Sequence, residues 1–148
     1  MAKRIIYAQG DGTLAVIVPS ANCGLTIEQI AKKDVPSGAV FEVVDVTDIP
    51  SDRTFRAAWR HDTSPTSRKV AIDLLKAKDI THVLRRSKRE EEFKPHDEAI
   101  MKQLPGSRVQ DAEAARAVIR AKYDTIQISI DGCNTPDELK AIIDAEGL

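Results

Sequence analysis

Ser51-Asp52-Arg53-Thr54-Phe55-Arg56-Ala57-Ala58-Trp59 is the last element before this 148-residue chain changes character. Upstream of it, short apolar runs alternate with glycine- and proline-bearing turns, the pattern of strands. Downstream, after the polar stretch His61 to Ser67, the chain becomes almost unbroken charged helix-forming sequence from about Lys69. The expectation is an α+β protein in two parts. Residues 1–66 form a small β-rich head in the order β-β-α-β. Residues 67–148 form a helical arm, an antiparallel hairpin followed by a short terminal helix.

Working back from the opening stretch, Ala39 to Val46 is the best strand, with β-favouring Phe41, Val43 and Val44. Before it, Thr26-Ile27-Glu28-Gln29 has the form of a capping box. It predicts a helix from Ile27 to about Asp34 with Ile27, Ile30 and Ala31 on one face, ended by Val35-Pro36-Ser37-Gly38. Arg4 to Ala8 and Leu14 to Val18 flank Gln9-Gly10-Asp11-Gly12-Thr13, a hairpin signal because glycine supplies the positive φ that tight turns need.

Two readings of the opening stretch compete. Phe55 and Trp59 stand four apart, so one helical turn would lay both against the sheet as a lid. Arg53 and Arg56 would then pair with Asp48, Asp52 or Asp62. In the other reading the stretch is a docking patch, since Trp and Arg are the residues most enriched at interface hot spots.

Working forward, Val70-Ala71-Ile72 reads as one more short strand, and Asp73 as the cap of a helix running to about Gln103. In its middle, Arg85-Arg86-Ser87-Lys88-Arg89-Glu90-Glu91-Glu92 sets bases and acids three and four apart, as on a solvated helix face. Pro95 should kink or interrupt the helix. Leu104-Pro105-Gly106-Ser107 reverses the chain. From Asp111, the residues Ala112, Ala115, Ile119, Tyr123, Ile126 and Ile130 make a narrow stripe, a coiled-coil-like seam. Gly132 ends that helix. Thr135-Pro136-Asp137-Glu138 starts another, whose apolar face is Leu139, Ile142 and Ile143.

Composition narrows the function. Net charge is −1. Through Ser64 there are seven basic and eight acidic residues, leaving fifteen of each beyond it. Neither half has the basic excess that binding to a phosphate backbone needs, so nucleic acid is disfavoured as a partner. Aromatics are 4% of the chain and concentrate in the head, so the arm is expected to pack through Ala, Leu, Ile and Val. Cys23 and Cys133 read as reduced thiols in a cytoplasmic protein. No segment reaches the length of a membrane span, so no membrane partner is expected.

Chemistry finds no convergent site in the sequence. His61, His82 and His96 lack metal-ligand spacing. Asp45, Asp48 and Asp52 cluster after the best strand but lack a calcium-loop pattern, and turn or cap roles suit them better. There is no nucleophile elbow, and Gly10-Asp11-Gly12 is too short and too acidic to cradle phosphate. The sequence therefore predicts no enzyme, no catalytic residue, no cofactor, no metal and no small-molecule substrate. The residues expected to meet partners are Arg53, Phe55, Arg56 and Trp59 in the head, and Ile119, Tyr123, Ile126 and Ile130 along the seam.

The motif order also carries a resemblance. Thr26-Ile27-Glu28-Gln29-Ile30-Ala31-Lys32-Lys33-Asp34-Val35-Pro36-Ser37-Gly38, then Asp48-Ile49-Pro50-Ser51-Asp52-Arg53-Thr54-Phe55-Arg56-Ala57-Ala58-Trp59, then a charged tail with Lys76-Ala77-Lys78-Asp79-Ile80 follow one another. This resembles small tailed-bacteriophage proteins encoded near tail-fibre genes, some of them tail assembly chaperones or tail-fibre-associated proteins. The resemblance implies a virion-associated structural protein of the tail or tail-fibre region. Such a protein docks to other phage structural proteins and to its own copies, and resides in the virion and, during assembly, in the host cytoplasm. A transient assembly chaperone is the alternative, and a small nucleic-acid-binding regulator acting through Arg85 to Arg89 the second alternative. The resemblance supplies no catalytic residues.

Overall fold

The computed structural model describes residues 2–65, 68–103, 105–106 and 108–148. Thr66 and Ser67 of the expected joint, and Leu104 and Ser107 of the expected reversal, lie outside the described residues. The chain divides into two compact units, 1–73 and 74–148. The expected boundary at 66/67 is thus too early. Val70–Ile72 belongs to the head because it pairs antiparallel with Trp59–His61. The fold class stands as α+β: small antiparallel sheets, then long helices forming a hairpin, then a short terminal helix.

In the first unit, strands β1 (Lys3–Ala8), β2 (Leu14–Ile17) and β3 (Phe41–Asp45) make an antiparallel sheet in the order β2-β1-β3. The turn between β1 and β2 closes through Gln9 N–H donating to the Thr13 carbonyl at 2.8 Å, with Gly12 at φ +79. That backbone conformation favours glycine, as the sequence required. Alternation along the strands sorts their side chains onto two faces. On one face Ile5 packs with Ile30 and Ala31 of helix α1 (Ile27–Asp34). The expected capping box is present. Gln29 N–H donates to Thr26 Oγ1 at 3.3 Å, and Thr26 N–H donates to Gln29 Oε1 at 2.8 Å.

On the opposite face Ile6 and Val44 pack with Trp59 and Val70. Those two come from a second, two-stranded sheet of β4 (Trp59–His61) and β5 (Val70–Ile72). The three-stranded sheet thus lies between a helix and a small ribbon. Glu42 of β3 ties it to the ribbon, with Oε2 3.1 Å from His61 Nε2 and Oε1 2.5 Å from Lys69 Nζ. The Lys69 contact, then His61, holds the Glu42 carboxyl below its ordinary range.

The second unit contains α2 (Leu74–Met101), α3 (Arg108–Asp131) and α4 (Pro136–Glu146). Cross-contacts fix α2 and α3 as antiparallel. Lys78 donates to the Asp131 carbonyl at 2.7 Å, Arg85 Nη1 to the Tyr123 carbonyl at 3.3 Å, and Arg116 pairs with Asp97 at 3.0 Å. Numbers rise on one helix as they fall on the other. Pro95 lies inside α2 without ending it. Arg116 of α3 holds both sides of that proline, its guanidinium 5.5 Å from the Phe93 ring centroid and paired with Asp97. Packing of this kind offsets the one hydrogen bond that proline forfeits. The α4 start matches its sequence signature: Glu138 N–H donates to Thr135 Oγ1 at 3.2 Å, and Pro136 opens the helix. Among the described residues no helix is long and apolar enough to cross a membrane.

Candidate docking groove

The head carries a groove of about 370 Å³ at one end of the sheet face that Trp59 covers. One side is built by Arg4, which stands two residues before Ile6 and so on the same face, together with Val16 and Val18. The other side is the chain that follows β3. Val46–Asp48 form a single 3-10 turn after the strand, Ile49 leaves it in extended backbone, and Pro50 and Ser51 follow. Arg53 and Arg56 complete the rim, and Trp59 lies at the base.

Local hydrogen bonds shape this wall. Asp45 N–H donates to Asp48 Oδ2 at 2.9 Å, and the Thr54 amide donates to Asp52 Oδ1 at 2.9 Å. The Asp45 carboxylate pairs with Lys3 at 2.9 Å. The three aspartates that clustered in the sequence thus serve turns and an ion pair, the common work of aspartate near loops. Among the described residues, no group of three metal-ligating side chains converges.

Phe55 and Trp59 are both buried, at 4% and 2% exposure, and Trp59 packs on Ile6 and Val44 as a lid on the sheet. The helical turn expected to place them is absent. Arg56–Ala58 form a 3-10 turn and Trp59 opens β4. The sequence reading missed this because a spacing of four fits a helix as well as a turn that feeds a strand. The indole Nε1 is buried and has no hydrogen-bond partner among the described residues.

The arginines behave differently from the aromatics. Arg53 and Arg56 are exposed, and among the described residues neither joins an ion pair with Asp48, Asp52 or Asp62. Arg56 sets its guanidinium 5.9 Å from the Trp59 ring centroid, within cation–π range. Arg4 gives one N–H to the Lys3 carbonyl at 3.0 Å and, among the described residues, meets no carboxylate. Every charged side chain lining the groove is an arginine. Of the four head residues expected to meet partners, Arg53, Arg56 and Trp59 line this groove, and Phe55 is core. Arg4, Val16 and Ile49 were missed. Strand alternation places Arg4 and Val16 on one face, but only the fold brings the 46–51 segment across from them.

No protein-family model matches the chain, and neither a curated protein nor a solved structure matches it.

The seam residues of the second unit are placed elsewhere. Ile119, Tyr123, Ile126 and Ile130 are all buried within their own unit, so they are core and present no free partner surface. The stripe was real, but its partners are the helices α2 and α4 of the same chain. Tyr123 is among the largest fully buried side chains, so this unit does not pack through aliphatics alone. Its hydroxyl donates to Glu92 Oε1 at 2.7 Å, and Lys122 Nζ donates to the same oxygen at 2.9 Å. Burial, then this bond, pushes the Tyr123 hydroxyl above its usual range, and the two donors lower the Glu92 carboxyl. The basic run is likewise not a uniformly solvated face. Arg85 is 5% exposed, and burial, followed by Arg89 and Arg86, lowers its pKa.

Proposed function

We propose that this chain is a structural protein of a tailed-bacteriophage particle, of the tail or tail-fibre region, which acts by docking to other phage proteins rather than by catalysis. The observation that carries the reading is the groove: three arginines that meet no carboxylate among the described residues, lining it beside apolar Val16, Val18 and Ile49 and Trp59. Trp and Arg dominate hot spots because one side chain supplies large apolar area and directional charge together. Exposed Arg53 and Arg56 add little to the stability of the head, since exposed charge rarely does. Their position on the rim suits a partner.

The motif resemblance supports the phage origin. It also supports a place in the virion, and in the host cytoplasm during assembly. Self-association remains part of the reading but cannot use the buried seam. Val118 and Ile128, at 70% and 73% exposure, leave α3 with other apolar positions for it. Mass spectrometry of purified particles of the encoding phage tests the proposal. Recovery of the chain at a fixed stoichiometry supports a structural part. Its presence in infected cells and absence from particles would instead make it a transient assembly chaperone.

A further inference from the structure

We infer that the occupant of the head groove is an acidic, extended segment of a partner protein. One large apolar side chain of the segment lies against Val16, Val18 and Ile49, and flanking carboxylates meet Arg4, Arg53 and Arg56. This rests on the docking reading and adds the chemistry of the partner.

Charge complementarity is the first support. The groove is lined by three guanidinium groups and no carboxylate, in a head whose overall charge is near neutral. The head's nearby acids have other work. Asp45 pairs with Lys3, Asp48 and Asp52 accept backbone N–H groups, and Glu42 holds Lys69. Guanidinium forks bind carboxylates through two parallel N–H donors, a geometry a carboxylate matches and a neutral amide does not.

The apolar wall is the second support, and it selects among anions. Val18 and Val46 are 62% and 41% exposed beside the arginines. An inorganic anion would leave this surface uncovered, and so would the backbone of a nucleic acid. A peptide brings both parts. The volume, about 370 Å³, is near the lower end of ligand pockets. It admits a few side chains of an extended segment, not a globular surface.

The test uses the full chain and its single tryptophan, Trp59, as the reporter. An acetylated and amidated peptide, Gly-Asp-Leu-Asp-Phe-Glu-Gly, is titrated while Trp59 emission is followed, with calorimetry in parallel. Saturable binding that weakens with salt is expected. Replacing the acids by Asn and Gln should weaken it about tenfold or more, the scale of a lost charged hydrogen bond. Arg53→Gln and Arg56→Gln should each do the same, with partial recovery in Arg53→Lys and Arg56→Lys. Arg120→Gln, an exposed arginine of the second unit, should change nothing. Unchanged melting of each variant shows that the fold is intact. Equal binding of the neutral peptide overturns the inference. So do equal binding by the Gln variants, no binding at millimolar peptide, or equal competition by inorganic phosphate or a short DNA duplex. The docking reading fails separately. If the chain is a fixed component of particles while the peptide fails, docking stands and the acidic occupant falls.

Discussion

The two units differ in where their arginines stand. In the helical unit several cations are bound across the helix pair: Arg116 meets Asp97, Lys122 meets Glu92, and buried Arg85 reaches the Tyr123 carbonyl. In the head, Arg53 and Arg56 stand exposed at a groove with no carboxylate among its lining residues. Matched charges fix a helix register. Unmatched ones cost little on a surface and keep their binding capacity for something outside the chain. The helical seam, the more regular feature in sequence, is scaffold, and the irregular segment after β3 carries the candidate site.

The largest effects should come from the cores. Ile126 is 4% exposed, so Ile126→Asp buries an unpaired carboxylate where an apolar side chain packed. A loss above about 4 kcal/mol is expected, enough to melt a marginally stable unit. The measurement is loss of the helical circular-dichroism signal. Were Ile126 instead at an interface between copies, the variant would stay folded and sediment as a monomer. Trp59→Ala should cost the head about 3–5 kcal/mol by the same logic of a buried aromatic removed, read by chemical denaturation.

Next in size is the polar layer of the helical unit. Tyr123→Phe keeps the packing and removes one donor to Glu92, for a loss of about 1–2 kcal/mol. If denaturation midpoints do not move, the Tyr123–Glu92 contact contributes nothing and the claim that matched polar groups fix this unit weakens.

Smaller still is the Glu42 clamp of the head. Its carboxyl is lowered in the folded state, so its stabilisation is present above the ordinary glutamate value of about 4.3 and fades as pH falls through the lowered folded value. Glu42→Gln should therefore lower the head's stability near neutrality, where the contribution is fully present, change little in acid, and so flatten the acid limb of the stability curve followed by Trp59 emission. An unchanged acid limb would remove the clamp from the account.

Much of this architecture was legible. Capping signatures located the starts of α1 and α4 to the residue, because Thr26 with Gln29 and Thr135 with Pro136 are local chemistry. The β1–β2 hairpin was legible for the same reason, through Gly12. What depended on tertiary contact was not. Pro95 read as a kink or an interruption, and that α2 continues through it was not legible because the grip of Arg116 comes from a different helix. The 66/67 boundary fell short because the pairing of Val70–Ile72 with Trp59–His61 is non-local. The groove was half visible: Arg53, Arg56 and Trp59 came from residue type and proximity in sequence. Arg4, Val16 and Ile49 join them only in three dimensions.

The central claim is that Arg53 and Arg56 serve binding and not folding. The most direct measurement is the Arg53→Gln/Arg56→Gln double variant, with melting and acidic-peptide affinity determined on the same sample. The account predicts stability within about 0.5 kcal/mol of the parent and peptide binding lost. A destabilised head, or a stable head that binds the peptide as the parent does, would contradict it.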